Sequence, residues 1–183
     1  MLISMKAKWL LIIGFFCLLL LNAAYSQDQA TKPNNYLRLN WKQVATQMPD
    51  AWYGLGEAKT VAESVLKYQT DIGGWPKNSG FHNNTVNQEE WDRIKVTGVG
   101  ATFDNGATIT ELKFLTKVYT QIKDERYRES FMKGLNYIIK AQYTNGGWPQ
   151  YYPPRKGKSD YSSHITYNDN AMVNVMRCLD DVA

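Results

Sequence analysis

The sequence contains little cysteine and histidine, with two residues of each among 183. Cys17 lies in an N-terminal apolar segment, so the rest of the chain has only Cys178 and cannot form an internal disulfide. We predict a buried, inert thiol there, because Cys178 falls on the apolar face of a helical pattern. His82 and His164 have no ligand partner at helical spacing, so no zinc site is predicted. A Gly-x-Ser-x-Gly turn and a phosphate-binding glycine loop are also missing from the sequence.

Excess charge and long apolar runs are scarce as well. The formal net charge is +4, and Lys6 and Lys8 account for two of these charges, so nothing indicates nucleic-acid binding. One apolar run, residues 9–21, follows these lysines, and small residues precede Ser26. This pattern predicts a signal peptide over 1–26 and a secreted or periplasmic protein without membrane attachment. An uncleaved anchor is the alternative, but the run is shorter than the roughly 20 residues that span a bilayer.

Apolar residues recur at helical spacing through most of the remaining chain. The spacing predicts helices over 41–48, 57–69, 107–122, 127–143 and from 171 to the last residue. Residues 77–102 are predicted as a long polar loop with one helical turn at 88–94, and such long loops are usually functional or disordered. We divide the chain into the signal peptide, an N-terminal extension (27–54) and one helical domain (55–183).

An internal repeat organises the helical domain. Residues 69–76 and 142–149 align without a gap, and both read Gln-x-x-x-Gly-Gly-Trp-Pro. Residues 102–107 and 166–171 align next, and the first copy carries nine more residues between its two motifs. Each copy is a helix, a Gly-Gly-Trp-Pro corner, a polar loop and a second helix.

Repeated helical hairpins cannot bury their apolar faces alone, so they stack. A closed stack is an α/α toroid, in which one helix of each hairpin lies inside and the loops at one end surround a cleft. We therefore expect Asp104 and Asp169 at equivalent starts of inner helices, facing the same cleft.

Carboxylate and amide side chains are concentrated at these helix starts. One interpretation is helix capping, with Asp104 or Asn105 as the cap of its helix. Capping needs one side chain, however, and each motif holds two or three. The surplus oxygens are suited to a hard cation such as calcium, which takes six to eight oxygen ligands. The five residues concerned are Asp104, Asn105, Asn168, Asp169 and Asn170.

Aromatic and basic residues at the corners have two interpretations each. Trp75 and Trp148 either plug the helix corner or stack on a sugar ring. Lys77 and Arg155 follow the two corners closely, and either bind an acidic sugar or are simply solvated.

Four motifs together resemble the pectate lyases of polysaccharide lyase family ten. They are Gly-Gly-Trp-Pro-Lys-Asn (73–78), Thr-Phe-Asp-Asn-Gly-Ala-Thr (102–108), Gly-Gly-Trp-Pro-Gln-Tyr-Tyr-Pro (146–153) and His-Ile-Thr-Tyr-Asn-Asp-Asn-Ala-Met (164–172). The resemblance covers residue 55 onwards. It implies an all-α fold, an α/α toroid that is incomplete here, with about half of the family domain. It also implies calcium-dependent β-elimination of polygalacturonate, and a monomer when the domain is complete.

The resemblance also assigns roles to residues. Asp169 and Asp104 are expected as calcium ligands, with Asp169 nearest the ion and the substrate carboxylate. The substrate-binding residues are expected to be Asp104, Asn105, Lys77, Trp75, Trp148, Asn168 and Asn170. The catalytic base of the family is an arginine in later hairpins, beyond Ala183. We therefore expect this chain to be the N-terminal part of a lyase domain, with little or no lyase activity alone.

Two alternatives remain open at this stage. The first is a sugar-binding protein that keeps the aromatic residues and the cation site but does not cleave its ligand. The second is a triterpene-cyclase-like toroid, since Gln-x-x-x-Gly-x-Trp occurs twice. The polar, Asn-rich loops argue against the apolar cavity that such a cyclase needs.

Overall fold

A computed structural model describes residues 35–83, 88–155 and 160–182. The signal peptide predicted over 1–26 lies outside these residues, so it and the predicted location stay predictions. None of the described helices has both the length and the apolar character needed to cross a membrane.

The described chain is built of α-helices joined by turns and isolated β-bridges. Six α-helices are described: α1 (Trp41–Gln47), α2 (Gly56–Lys67), α3 (Gln88–Thr97), α4 (Ile109–Gln121), α5 (Glu125–Ala141) and α6 (Ala171–Asp180). Short 3-10 helices are found at Asn35–Arg38, Asp50–Gly54, Asp104–Gly106, Asp160–Ser163 and Asn168–Asn170.

The predicted helices are all present, with bounds that shift by one or two residues at several ends, and three of the differences are described here. Helix α3 runs for ten residues where a single turn is predicted, because Trp91 and Ile94 lie on one face and are buried in the core. Helix α4 begins at Ile109 rather than at 107, since Thr108 has a φ of 66° and cannot continue a helix. Helix α6 ends at Asp180 instead of continuing to the last residue.

The hairpins stack as predicted. Helix α4 contacts α2, from the same copy of the repeat, and α5, from the next copy, and both α2 with α5 and α4 with α6 are in contact. Helix α4 is central, because it also packs against α1. Its buried residues point in several directions around its axis, as expected for a helix enclosed by others. They are Ile109, Glu111, Leu112, Phe114, Leu115 and Val118.

The tryptophan of each Gly-Gly-Trp-Pro corner is buried and fills the space at the end of the helix. Trp75 is 0 % exposed and Trp148 is 5 % exposed. Each indole N–H donates to a carbonyl ten residues earlier, Val65 for Trp75 and Ile138 for Trp148, at 2.8 Å in both cases. Burying an indole with its N–H satisfied stabilises the end of each first helix. The prediction that Trp75 and Trp148 bind substrate is therefore wrong, since neither ring has a face open to a sugar.

Both corners turn through a glycine with left-handed backbone. Gly73 has a φ of 108° and Gly146 a φ of 87°. The side chain of the preceding glutamine donates to this glycine's carbonyl, from Gln69 at 2.8 Å and from Gln142 at 3.0 Å. The spacing that the two copies of the repeat share thus has a local cause: the glutamine, the glycine and the tryptophan form the same corner in both copies.

Alanine substitutions at the two glycines are expected to differ in cost. In Gly146→Ala the new Cβ meets nothing within 4 Å, so only backbone strain of about 1 kcal/mol is added. In Gly73→Ala the Cβ also collides with the Lys133 carbonyl oxygen. We expect Gly73→Ala to lower the free energy of unfolding by at least about 2 kcal/mol more than Gly146→Ala. Urea denaturation of the two variants measures this, and equal losses would contradict the packing described here.

Candidate functional site

Two tight turns, one from each copy of the repeat, lie against each other. The Asp104 turn (Asp104–Gly106) precedes α4 and the Asp169 turn (Asn168–Asn170) precedes α6. The two turns are in contact, and α6 also contacts the Asp104 turn. The structure therefore brings together the two motifs that the sequence places around a common cleft.

The turns have the same conformation, which fixes their correspondence. Asn105 has φ and ψ of 53° and 24°, and Asp169 has 50° and 25°. The backbone N–H of the residue before each donates to a threonine hydroxyl in the same way: Asp104 N–H donates to Thr102 Oγ1 at 3.0 Å, and Asn168 N–H donates to Thr166 Oγ1 at 3.1 Å. Asp169 is thus the counterpart of Asn105. This agrees with the alignment of 102–107 with 166–171, so Asp104 and Asp169 lie at equivalent helix starts, one position apart in the motif.

The carboxylate and amide side chains of the two turns do not cap the helices that follow. The N-cap of α4 is Thr108 and that of α6 is Asn170, and neither makes a side-chain capping hydrogen bond. The prediction that Asp104 or Asn105 caps α4 is therefore wrong. Holding Asn105 and Asp169 in left-handed backbone costs about 1 kcal/mol or more each, and such strained residues concentrate at functional sites.

Asp104 is buried and fully engaged in hydrogen bonds. It is 4 % exposed. The Lys77 ammonium donates to Oδ2, and Gln150 Nε2 donates to Oδ1 at 2.7 Å. Burial alone would lower the pKa of Lys77, but the bonds with Asp104 and Tyr151 outweigh it, so the pKa is raised and the ammonium stays charged. Gln150 was not singled out from the sequence, although it occupies the position that follows the second corner, as Lys77 follows the first.

The two carboxylates differ in their fitness for a cation. Asp104 already faces an ammonium group, which disfavours a second positive charge at the same oxygens. Asp169 is exposed and accepts one side-chain hydrogen bond, from Asn168 Nδ2 at 3.0 Å. Among the described residues, no group of three or more acidic, histidine or cysteine side chains lies close enough to hold a metal. The residues present therefore fit a partial calcium site on Asp169, completed by oxygens from elsewhere, but not a second ligand at Asp104.

Basic side chains converge on Tyr151. The Arg155 guanidinium lies 3.6 Å from the centre of the Tyr151 ring, and the Lys77 ammonium lies 5.8 Å from it. Tyr151 is itself joined to the first motif by a β-bridge with Thr102. The two cations suggested by the sequence thus flank one aromatic ring at the edge of the Asp104 turn, where they favour an anionic ligand.

The remaining polar residues of the turns are exposed. Asn105 Nδ2 donates to Asn78 Oδ1 at 3.0 Å, which ties the turn to the residue after Lys77. Asn168 and Asn170 are exposed beside Asp169. Tyr167 is 80 % exposed, in contrast to its counterpart Phe103, which is 0 % exposed. Tyr167 is therefore an aromatic ring that this surface presents to solvent. The sequence did not single it out, because its counterpart in the first copy, Phe103, is an ordinary core residue.

Comparison with known proteins gives consistent matches. A family model described as pectic acid lyase matches residues 69–183. A family 10 polysaccharide lyase from Cellvibrio cellulosa is 34% identical with a TM-score of 0.56, and the alignment covers 83% of this chain and 40% of that structure. A mutant family 10 polysaccharide lyase from the same organism, in complex with trigalacturonic acid, is also 34% identical with a TM-score of 0.56. That alignment covers 76% of this chain and 38% of the other.

The chain thus spans about two fifths of the length of the solved structures that it matches. The matches confirm the predicted fold class, an all-α structure of the α/α-toroid fold. Comparison with curated proteins gave no match.

Proposed function

Because the chain belongs to the pectic acid lyase family, the family ten polysaccharide lyases, we propose that it forms one wall of a site that cleaves polygalacturonate by β-elimination. The observation that supports this most is the contact between the two turns. It places an open carboxylate, Asp169, on the same surface as the charged Lys77 ammonium. Such a pairing suits a substrate in which every sugar unit carries a carboxylate.

The reaction requires the substrate carboxylate to be neutralised. Neutralisation makes the proton on C5 of the uronate acidic enough for a base to remove. The electron pair of the C5–H bond then forms the C4=C5 double bond, the C4–O bond breaks, and the glycosidic oxygen leaves and takes up a proton. The product is a 4,5-unsaturated uronate at the new chain end.

Lys77 is proposed to bind the substrate carboxylate. Its side chain is 31% exposed, so the ammonium reaches the surface while Asp104 holds it from below. Gln150 fixes Asp104 in turn, and thereby the direction of Lys77. Asp104 is then a positioning residue, and not the second calcium ligand that the sequence suggested.

Asp169 is proposed to hold a calcium ion, with Asn168 and Asn170 beside it and the substrate carboxylate completing the oxygen shell. Bound calcium would supply a Lewis acid and an orienting charge at the uronate. Asn105 and Asn78 would bind sugar hydroxyl groups at the other edge of the surface.

Removing the Asp169 charge is expected to weaken calcium-dependent binding. For Asp169→Asn we expect the calcium-dependent gain in affinity for trigalacturonate to fall at least about tenfold, because the open carboxylate is lost. Isothermal titration of the purified chain, with calcium and with a chelator, measures this. Asp181→Asn is the matched control, since it removes an exposed carboxylate from the end of α6. Equal affinities of the wild type with and without calcium would contradict the proposed cofactor.

The proton-abstracting base is proposed to be an arginine outside these 183 residues. Two arginines near the site are unsuited to the role: Arg155 stacks on Tyr151, and Arg177 lies exposed on α6. We therefore expect the purified chain to bind polygalacturonate without releasing unsaturated product, as followed by ultraviolet absorbance. Robust release of that product would place the base within this chain.

A further inference from the structure

Trp41, the first residue of α1, packs against the loop that carries Lys77. We call residues 77–83 the Lys77 loop. The His82 ring of this loop stacks on the indole, with the ring centres 6.0 Å apart and the planes at 15°. The Phe81 ring meets the indole edge-on, with the centres 5.2 Å apart and the planes at 77°. His82 Nε2 also donates to the carbonyl oxygen two residues before Trp41, at 2.9 Å. The far end of the Lys77 loop is therefore fixed to the start of α1.

The same indole is bound to α4, the helix that follows the Asp104 turn. Its N–H donates to Glu111 Oε1 at 2.7 Å, and its ring lies 5.3 Å from that of Phe114. Trp41 therefore joins the Lys77 loop to α4. The ion pair of Lys77 with Asp104 connects the same two parts of the chain at their other end. Asp104 fixes the ammonium end of the lysine side chain, and the loop fixes its backbone end.

Glu111 makes this joint sensitive to pH. Its side chain is 2% exposed, and among the described residues its buried Oε2 has no hydrogen-bond partner. Burial raises the pKa of Glu111 to about 7, against the opposing effect of the hydrogen bond from Trp41. Once ionised, the carboxylate needs water at Oε2, which it gains when Trp41 moves away from α4. The protonated carboxyl thus stabilises the closed joint fully below about pH 4.5, and this contribution is lost as the pH rises to about 7.

Among the described residues, no other charged group compensates the buried carboxyl. The titratable groups on the elements around Glu111 are Lys42 on α1, Lys77 and His82 in the Lys77 loop, and Asp50 and Tyr53 on the short helix packed against α4. Lys42 and Asp50 are exposed, so water solvates their charges. Lys77 is bound to Asp104. Burial lowers the pKa of His82, so its ring is neutral at pH 7.

We propose that Trp41 is a positioning residue for the proposed reaction, which directs the Lys77 ammonium at the substrate by joining the Lys77 loop to α4, and that protonated Glu111 keeps this joint closed. The inference rests on the proposed function, since Lys77 is the group through which Trp41 acts. Trp41 itself makes no contact with the substrate in this account.

A double-mutant cycle tests whether Trp41 acts through Lys77. Isothermal titration with trigalacturonate and calcium gives the affinities of the wild type, Trp41→Phe, Lys77→Ala and the double variant. Phenylalanine keeps a ring in the joint but lacks the N–H that Glu111 accepts, so we expect the affinity to fall about fivefold. In the Lys77→Ala background the same substitution should have no further effect. Trp52→Phe, which replaces another buried indole outside the joint, is the matched control and should leave the affinity unchanged.

Deuterium exchange of the Trp41 indole N–H, followed in ¹H–¹⁵N spectra, tests the role of Glu111. The ratio of the wild-type exchange rate to that of Glu111→Gln should rise at least about tenfold from pH 5 to pH 8, because only the wild type has a carboxyl that ionises in the joint. Taking the ratio removes the intrinsic pH dependence of exchange and the titration of His82, which both proteins share. The Trp41 N–H should also exchange faster than that of Trp75, which is buried in the core, because the joint opens locally.

The outcomes separate this inference from the proposed function. Unchanged affinity in Trp41→Phe, where Lys77→Ala weakens binding, overturns the role of Trp41 alone. Equal weakening by Trp41→Phe in both backgrounds also overturns it, since the indole would then act without Lys77. A ratio of exchange rates that is constant with pH, or equal exchange at Trp41 and Trp75, overturns the joint controlled by Glu111. Unchanged affinity in Lys77→Ala overturns the assignment of Lys77 in the proposed function, and this inference with it.

Discussion

Raising the pH from about 4.5 to about 8 is expected to lower the free energy of unfolding by about 3 kcal/mol through Glu111 alone. Burial raises the pKa of this carboxyl from 4.5 to about 7 in the folded protein. Below about pH 4.5 it is protonated in both states and contributes no penalty. Between pH 4.5 and 7 the unfolded chain loses the proton while the folded chain retains it, so stability falls. Above about pH 7 the full penalty is present.

Glu111→Gln isolates this effect. Glutamine keeps an oxygen for the Trp41 N–H and remains neutral, so the variant should be more stable than the wild type at pH 8 and similar to it at pH 4.5. Urea denaturation at a series of pH values gives the difference. Glu125→Gln on the surface of α5 is the matched control, and the pH dependence of its stability should be the same as that of the wild type. A Glu111→Gln curve parallel to that of the wild type would contradict a buried, protonated carboxyl.

Trp75→Ala is expected to lower the free energy of unfolding by about 3–5 kcal/mol. The indole is 0 % exposed, and it packs so closely on α5 that a Cβ at Gly134 would lie 3.0 Å from its ring. The substitution leaves a cavity at the corner and removes the hydrogen bond to Val65. Thermal or urea unfolding measures the loss, and a change below about 1 kcal/mol would contradict the role of the indole as a plug.

A conservative pair of variants separates the plug from a sugar-stacking role. Trp75→Phe keeps an aromatic ring in the core but loses the N–H donor, so it should reduce stability while leaving the affinity for trigalacturonate unchanged. Tyr167→Phe is the matched conservative variant on the surface. Tyr167→Ala should weaken sugar binding with little effect on stability, because this ring is 80 % exposed. Weaker binding in Trp75→Phe would restore the stacking interpretation.

The sequence was sufficient for the helices, the stacking of the two copies of the repeat and the meeting of the two motifs. Helical periodicity reports which residues face the core, and the repeat requires its copies to stack. The corner motif also repeats in the structure, atom for atom, in the bonds from Trp75 to Val65 and from Trp148 to Ile138. Such local patterns depend on neighbours in the chain, which is why they are visible in the sequence.

The sequence was insufficient for contacts between distant residues. Gln150 meets Asp104, 46 residues away, and thereby turns a predicted metal ligand into the anchor of Lys77. Glu111 lies on a helix that reads as amphipathic, and only the packing of α1 on α4 buries its carboxyl against Trp41.

The most direct test of the proposed site is a crystal structure of the chain with calcium and trigalacturonate. We expect anomalous scattering from a calcium ion at the Asp169 carboxylate, a substrate carboxylate as one of its ligands, and the Lys77–Asp104 pair intact and facing the same sugar unit. Calcium bound between Asp104 and Asp169 with Lys77 displaced, or a sugar chain bound away from both turns, would contradict this account.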